Sequence, residues 1–367
     1  MSATATTEID EEKLQAFMGR MIVEAGAINT APLILLGDRL GLYRAMVGAG
    51  PITSAELAEK TGTDERYVRE WLSAQAASEY VTYEPETGRF TLPPEQAMVF
   101  ADEDSPAFLA GMFDMTEGLY RTIDKVENAF RTGAGVAWGD QHACVCHGVA
   151  RFYRTSYQAN LIATWIPALD GVEGKLKAGA TVADIGCGHG ASTILMAKAY
   201  PKSRFIGFDF HGPSVEEARE RAAEAGLGED RVRFEVASAK DFPAAGYDLV
   251  TTFDALHDMG DPVGAAAHVY ETLAANGTWM IVEPFANDRL EENLNPVGRL
   301  YYAGSTMICT PASKAQEVGT GSRGAGGRGA PLRSTGEGGL YPRPLRGPLA
   351  VQHDPGGEAL TREGDDP

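Results

Sequence analysis

The chain has 367 residues and a formal net charge of -19, from 51 acidic and 32 basic side chains. This length is enough for two domains, and such an acidic balance opposes binding to nucleic-acid phosphates and anionic membranes. Four cysteines are too few for a disulfide scaffold in a chain of this size. The acidic N-terminus does not have the pattern of a signal peptide, and no apolar run reaches the roughly 18 residues of a membrane span. We therefore expect a cytoplasmic enzyme that acts on a small molecule, with no nucleic-acid partner and no membrane segment.

Residues 1–104 combine N-terminal helices with a winged-helix pattern. Two short helices begin at Ser54 and Asp64, and the segments EYVTYE and GRFTL then predict a two-stranded wing. Such a domain either reads DNA through its second helix or serves as a packing and dimerisation module. Residues 32–100 hold ten acids against six bases, whereas a DNA reader presents a basic face. We favour the packing module, and the apolar stripe in LQAFMGRMIV suggests a homodimer through this domain.

Residues 105–178 predict a helical connector rich in aromatic side chains, which either line a substrate pocket or fill a core. Within it, QHACVCHG holds four potential metal ligands, His142, Cys144, Cys146 and His147. Tetrahedral metal sites usually use two short ligand pairs separated by a longer loop, and four donors this close cannot easily surround one ion. No metal site is predicted here.

From residue 180 short strands alternate with helices, which is typical of a parallel sheet. The strands are predicted in the segments TVADI, RFIGFD, VRFEVA, YDLVTTFD and TWMIVE. The helix before the last strand should begin at Asp261 and Pro262 and end near Asn276 and Gly277. The expected fold class is α/β, with a Rossmann-like parallel sheet over residues 179–318.

A glycine-rich turn follows the first of these strands and contains Asp184, Gly186, Gly188 and Gly190. Glycines here allow a sharp turn and close approach of the backbone to a ligand. The spacing nearly satisfies a dinucleotide fingerprint, so a nicotinamide oxidoreductase is one alternative. Asp184 favours S-adenosylmethionine instead, because its carboxylate would repel a pyrophosphate and attract the ammonium and sulfonium groups. Asp209 ends the second strand 23 residues after Gly186, where a carboxylate can bind both ribose hydroxyls.

With these residues, the chain from about residue 179 to 311 resembles the class I S-adenosylmethionine-dependent methyltransferases. The run LHDMGD at residues 256–261 is similar to the LHDWSD of small-molecule O-methyltransferases typified by the plant caffeic acid enzymes, with Met259 in place of tryptophan. That family also carries an N-terminal winged-helix domain used for dimerisation. Bacterial methyltransferases with such a domain resemble the chain over a longer stretch that includes LEENLNPVGRLYYAGSTMICTP.

The resemblance implies S-adenosyl-L-methionine as cofactor and a small-molecule methyl acceptor. The predicted cofactor-binding residues lie at the ends of the first four strands of the sheet: Asp184, Gly186, Gly188, Gly190, Asp209, Phe210, Ser238, Ala239, Lys240 and Asp254. An alternative from another class is a regulator that senses S-adenosylmethionine and touches DNA through the winged helix.

The predicted catalytic residues are His257, Asp258 and Glu283. A phenol or alcohol is a poor nucleophile until it is deprotonated, and a histidine with a pKa near neutrality suits that task. His257 follows the fourth strand, at the edge where open parallel sheets bind ligands. The family resemblance implies that His257 is the general base. Either Asp258 or Glu283, the acid that ends the fifth strand, could fix its tautomer.

The composition changes after Val318. The 49 residues 319–367 contain 13 Gly and 6 Pro and lack Ile, Phe, Met and Trp, so they are predicted to be a low-complexity, disordered tail. The resembled fold needs a further helix and a two-stranded antiparallel hairpin after the fifth strand, in the order 3-2-1-4-5-7-6. We therefore predict that the last two strands are missing, as if a GC-rich gene were read out of frame beyond roughly Glu317. Translation of the other reading frames tests this hypothesis.

Overall fold

The computed structural model describes residues 9–321, 349–352 and 360–362. The chain divides into two compact units, Met1–Phe113 and Asp114–Pro367. The division falls inside the predicted connector, and the predicted boundaries at residues 104, 178 and 318 stay predictions.

The first unit begins with a long helix, α1 (Glu11–Arg39). Asp10 caps it, because its carboxylate accepts a hydrogen bond from the Lys13 amide at 3.1 Å. The apolar side chains of its first half are largely exposed, including Phe17 at 51% and Ile22 at 69%. Its second half contributes Ile34 to the core of this unit.

By length and composition, α1 is long and apolar enough to cross a membrane, with a mean hydropathy of 1.3 over an 18-residue window. The apolar run in α1 is interrupted by Arg20, Glu24 and Asn29, so no unbroken run of 18 residues occurs there, but the hydropathy averaged over a window tolerates these interruptions. One such helix near the N-terminus is weak evidence for a membrane segment. The expectations of a cytoplasmic location and of no membrane segment stay predictions.

A winged-helix arrangement follows α1, with helices and an antiparallel wing in the predicted order: α2 (Leu42–Met46), α3 (Ser54–Thr61), α4 (Glu65–Ala77), β1 (Thr82–Glu84), β2 (Arg89–Thr91) and α5 (Pro94–Phe100). Asp64 caps α4 as predicted. The cap of α3 is Thr53 rather than Ser54, because Thr53 and Glu56 form a reciprocal capping box.

Both arginines near the start of α4, the helix in the DNA-reading position, are paired on the same helix. Arg66 lies 2.5 Å from Glu70, and Arg69 lies 2.6 Å from Glu65. These one-turn pairs neutralise the two guanidinium groups locally. The arrangement supports the packing-module interpretation of the winged helix.

A run of helices precedes the sheet of the second unit: α6 (Ala110–Arg121), α7 (Ile123–Thr132), α8 (Ala143–Asn160) and α9 (Val172–Ala178). Helix α8 continues through a π-helical turn at Leu161–Trp165. Tyr157 and Trp165 pack against Phe253, with ring centroids 5.3 and 6.4 Å away. These two connector aromatics therefore belong to the core.

The sheet confirms the predicted α/β class. Its five parallel strands have the order β5-β4-β3-β6-β7. The elements in chain order are β3 (Thr181–Ile185), α10 (Ala191–Ala199), β4 (Arg204–Asp209), α11 (Gly212–Glu224), β5 (Val232–Val236), β6 (Tyr247–Phe253), α12 (Pro262–Thr272) and β7 (Leu273–Val282).

The central strands β3, β4 and β6 are buried on both faces along nearly their whole length, whereas the edge strand β5 alternates buried and more exposed residues. Successive residues of β3 face opposite sides. Val182 packs into one core cluster and Ala183 into the other. The carboxyl ends of all five strands meet at one edge, and this edge positions the candidate site.

Helix α12 begins as predicted, since the Asp261 carboxylate accepts a hydrogen bond from the Gly264 amide at 2.9 Å. It ends at Thr272, earlier than predicted, because Leu273 already pairs with Tyr247 in the sheet. The register then shifts between Tyr247 and Leu249. At this irregularity a Cβ on Gly277 would lie 2.6 Å from the Tyr247 carbonyl oxygen. Gly277, which was predicted to end the helix, therefore lies inside β7, where the neighbouring strand leaves no room for a side chain.

Beyond β7 the chain forms α13 (Pro296–Gly304), a π-helical turn (Ser305–Cys309) and α14 (Thr310–Lys314). Two short strands, β8 (Leu349–Gln352) and β9 (Leu360–Arg362), extend the sheet in antiparallel fashion, with β8 beside β7. Most of the tail predicted to be disordered lies outside the described residues. The predicted loss of the last two strands of the resembled fold therefore stays a prediction.

Candidate active site

The glycine turn after β3 has a left-handed backbone at all three glycines. The φ angles of Gly186, Gly188 and Gly190 are 71°, 50° and 75°, a region that favours glycine. A Cβ on Gly186 would lie 2.7 Å from the Ala255 Cβ, and one on Gly190 would lie 2.6 Å from the Phe234 ring. A Cβ on Gly188 meets nothing within 4 Å. Close packing inside the protein therefore leaves no room for a side chain at Gly186 or Gly190, while Gly188 borders open space that a ligand can use.

Asp184 holds this turn to the sheet and to α10. Its Oδ2 accepts hydrogen bonds from the hydroxyls of Ser192 at 2.7 Å and Thr193 at 2.6 Å, and its Oδ1 accepts one from Thr251 at 2.9 Å. Burial raises the pKa of Asp184, and the three hydroxyl donors oppose this effect. The contacts assign it an organising role, and its predicted contact with the cofactor stays a prediction.

Asp209 connects the glycine turn to the loop after β4. Its Oδ2 accepts a hydrogen bond from the Gly188 amide and its Oδ1 one from the His211 amide, both at 2.9 Å. Burial raises the pKa of this carboxyl, and the two amide donors act in the opposite direction. The structure thus brings Asp209 and Gly188 together, and the next side chain, Phe210, is 52% exposed.

The three residues predicted to flank an adenine form a tight turn after β5. The Ser238 amide donates to Asp241 Oδ1 at 2.8 Å, and the Lys240 amide donates to Ser238 Oγ at 3.2 Å. Ala239 packs partly on the core, and Lys240 Nζ lies 3.3 Å from Asp261. The lysine charge is therefore directed at the start of α12.

Asp254 ends β6 in a left-handed conformation, with φ 49°. The Tyr157 hydroxyl donates a hydrogen bond to its Oδ2 at 2.7 Å. Burial raises the pKa of Asp254 to about 8, and the nearby Glu283 carboxylate adds to the increase. Non-glycine residues in this conformation are uncommon and concentrate at functional sites, which agrees with the predicted place of Asp254 in the site.

His257 lies between two carboxylates. It belongs to a short 3-10 turn, Leu256–Asp258, that follows β6. Its Nδ1 is hydrogen-bonded to Glu283 Oε2 at the end of β7, and its Nε2 lies 3.2 Å from Asp258 Oδ1. Burial lowers the pKa of His257, but Asp258 and Glu283 together outweigh burial and raise it well above its usual value. The three predicted catalytic residues thus converge, although the expected pKa near neutrality does not hold.

Tyr301 and Cys309 join this cluster although the sequence reasoning did not single them out. Burial and then the Asp254 carboxylate raise the pKa of Tyr301 to about 12. Cys309 Sγ lies within 4.8 Å of a ligand atom of His257 and of Asp258. Both lie in the segment LEENLNPVGRLYYAGSTMICTP, which resembles the bacterial methyltransferases. This resemblance is the one sequence feature from which their place near the site could have been predicted.

Both histidines of QHACVCHG make contacts within the protein, and the expectation of no metal at this segment stays a prediction. His142 caps α8, since its Nδ1 accepts a hydrogen bond from the Cys144 amide at 3.2 Å. The His147 ring packs edge-on against the His189 ring at 5.5 Å. Burial lowers the pKa of His189 to about 4, which keeps this residue of the glycine turn uncharged near neutral pH.

Comparison with known proteins agrees with this geometry. Residues 176–321 match the family model described as a methyltransferase domain, and residues 29–101 match that of an Rv2258c-like winged HTH domain. Residues 176–321 of this chain therefore form a methyltransferase domain. The matched residues of the methyltransferase domain include the whole parallel sheet and the glycine turn. They also include the histidine cluster, which consists of His257, Asp258, Glu283, Tyr301 and Cys309.

Relatives and solved structures agree with the family and the fold of this methyltransferase. The 27-O-demethylrifamycin SV methyltransferase of Amycolatopsis mediterranei (strain S699) is 29% identical over 217 residues, which are 56% of this chain and 69% of that protein. The mitomycin 7-O-methyltransferase MmcR is 20% identical, with a TM-score of 0.60 over 82% of this chain and 88% of its own. Human N-acetylserotonin methyltransferase in complex with SAM is 17% identical, with a TM-score of 0.60 over 83% and 88%. S-adenosylmethionine is the cofactor of the family, as predicted.

Proposed function

We propose that this methyltransferase transfers the methyl group of S-adenosylmethionine to a hydroxyl group of a small molecule, with His257 as general base. The observation that carries the proposal is the pairing of two features at one edge of the sheet. The glycine turn and Asp209 lie at the ends of β3 and β4, and the histidine cluster lies at the ends of β6 and β7. Ligands of open parallel sheets bind at this edge.

The residues around Gly188 fit the donor. Each oxygen of Asp209 accepts one backbone amide, and because a carboxylate oxygen has two acceptor positions, one remains on each for a ribose hydroxyl. The exposed ring of Phe210 offers an apolar surface beside them. The open space at Gly188 allows the amino-acid end of the donor to approach the backbone.

The histidine cluster fits the acceptor half of the reaction. Methyl transfer is an in-line displacement, so the protein mainly positions the two reactants and excludes water. The reacting form of His257 has an unprotonated Nε2, and because the pKa of this ring is raised, that form becomes more abundant as the pH rises. The acceptor O–H proton goes to this Nε2 as the oxygen attacks the sulfonium methyl group, and the products are a methyl ether and S-adenosylhomocysteine. Glu283 on Nδ1 fixes the tautomer and strengthens Nε2 as a base. The names of two similar proteins, the 27-O-demethylrifamycin SV methyltransferase and the mitomycin 7-O-methyltransferase, support oxygen as the accepting atom.

Calorimetry and turnover test the two halves of this proposal separately. We expect binding heat with S-adenosylhomocysteine and none with NAD(H), because the Asp184 carboxylate at the glycine turn disfavours a pyrophosphate. We then expect label from methyl-labelled S-adenosylmethionine to appear in an ether-linked product when a panel of polycyclic phenols is supplied. Heat with NAD(H) alone would contradict the donor assignment. Methylation only of amines or carbon atoms would contradict the acceptor assignment.

The exposed stripe of α1 supports a homodimer through the N-terminal unit, and we include it in the proposal. We expect the parent chain to sediment as a dimer and the double variant Phe17→Asp, Met21→Asp to sediment as a monomer. Both side chains are exposed, at 51% and 43%. In a two-fold dimer the same surface meets itself, so the introduced carboxylates of one copy would repel those of the other. Glu12→Lys, on the same helix but outside the apolar stripe, is the matched control and should remain dimeric. A monomeric parent chain would contradict this part.

A further inference from the structure

The histidine cluster gathers three different potential metal ligands. His257 and Asp258 come from the turn after β6, and Cys309 comes from the end of the π-helical turn that follows α13. One ligand atom from each side chain lies within 4.8 Å of the other two. The elements that bring them together are far apart in the chain, so the spacing of residues along the sequence gives no sign of the cluster.

Two features of this cluster point to a bound ion. Asp258 Oδ1 is buried and has no hydrogen-bond partner, although it lies 3.2 Å from His257 Nε2. A buried carboxylate oxygen needs a cationic or hydrogen-bonding partner, and either a protonated His257 ring at 3.2 Å or a bound metal cation can supply it. On the other side of the ring, Nδ1 is bonded to Glu283. A carboxylate on the far nitrogen is the usual support of a metal-binding histidine, because it fixes the tautomer that directs the other nitrogen at the ion.

We propose that His257 Nε2, Asp258 Oδ1 and Cys309 Sγ form a binding site for a divalent transition ion of the zinc type. Mixed nitrogen, oxygen and sulfur donors suit Zn²⁺, which takes four ligands in tetrahedral geometry. Three protein ligands leave the fourth position for water or another small ligand. The metal site itself does not depend on the proposed function, whereas its effect on turnover rests on the proposed role of His257.

The charges of the site balance when the ion binds. The carboxylate of Asp258 and the thiolate of Cys309 together neutralise a divalent cation, and Glu283 retains the Nδ1 proton. Coordination requires the thiolate and an unprotonated Nε2, so binding of the ion releases the protons that these ligands carry. A coordinated Nε2 cannot accept a proton from a methyl acceptor. The metal-loaded chain is therefore an inhibited form of the enzyme.

Titration with Co²⁺ tests the site without any need for turnover. Reduced, chelator-treated full-length protein should give the intense visible bands of tetrahedral Co²⁺ and a thiolate-to-metal charge-transfer band, saturating at one equivalent. Cys309→Ser should lose the charge-transfer band, and Glu283→Gln should weaken Co²⁺ binding by about 10- to 100-fold. Cys144→Ser, which changes a half-buried thiol on α8, is the matched control and should keep both bands.

Circular dichroism and S-adenosylhomocysteine binding establish that each variant is folded. Weak bands of octahedral Co²⁺ in the parent chain would overturn the proposal. So would a charge-transfer band that persists in folded Cys309→Ser. Because these readouts are spectroscopic, a failure of the metal site is distinguishable from a failure of the methyl-transfer proposal.

Discussion

His257→Ala should lower kcat by about 10²- to 10⁴-fold, the usual contribution of a general base, while S-adenosylhomocysteine binds as it does to the parent chain. The donor contacts proposed for Gly188 and Asp209 lie at the ends of β3 and β4, and His257 lies after β6, so the substitution removes the proton acceptor and leaves these two contacts in place. Single-turnover methylation of the best acceptor by metal-free protein gives the chemical step, and calorimetry gives the binding.

Two further variants sharpen this test. Glu283→Gln keeps the shape of the side chain but removes the charge that orients His257, so its kcat should fall less than that of His257→Ala. His268→Ala changes a histidine whose ring is bonded to the Phe242 carbonyl at 2.8 Å, outside the site, and folded protein should retain the parent kcat. Parental turnover by His257→Ala with intact donor binding would show that another group, or water, takes the proton.

The glycine turn provides the second large effect, through a pair of variants that separate folding from binding. Gly190→Ala should destabilise the fold by about 1–3 kcal/mol through overpacking, because its Cβ would lie 2.6 Å from the Phe234 ring. A further penalty comes from its φ of 75°. Gly188→Ala meets nothing within 4 Å, so its stability should fall only by the left-handed penalty of about 1 kcal/mol.

Gly188→Ala should instead weaken S-adenosylhomocysteine binding by at least about tenfold, or 1.4 kcal/mol, because the added methyl group occupies the space through which the donor reaches the backbone. Urea unfolding and calorimetry on both variants give the two quantities. Equal losses of stability would contradict the structural distinction between the two glycines. Unimpaired binding by Gly188→Ala would show that the donor lies elsewhere.

The sequence was sufficient for those parts of the fold that local patterns determine. The five parallel strands have apolar runs bounded by glycine and acidic residues, and β3 and β4 begin and end where predicted. The start of α12 followed from Asp261 and Pro262. Its end was wrong because pairing of Leu273 with Tyr247, a tertiary contact, overrides the local stop signal of Asn276 and Gly277.

The chemistry of the candidate site depended more on tertiary structure. That His257, Asp258 and Glu283 converge could be predicted, since strand ends of a parallel sheet share one edge. The sequence could not show that carboxylates face both ring nitrogens, which is why the expected pKa near neutrality was wrong. The hydrogen bond from Tyr157 to Asp254 joins residues 97 positions apart in the chain, and no periodicity reports such a contact.

The π-helical turn at Ser305–Cys309 amounts to one extra residue within an otherwise α-helical segment. Deleting a single residue there would let the ordinary helix close and would rotate everything beyond it by about 100°, the angle per residue of an α-helix. Cys309 would then turn away from His257 while the residues before the deletion kept their place. Among homologous chains, the presence or absence of this one-residue insertion should therefore separate those with a sulfur atom beside the histidine from those without one.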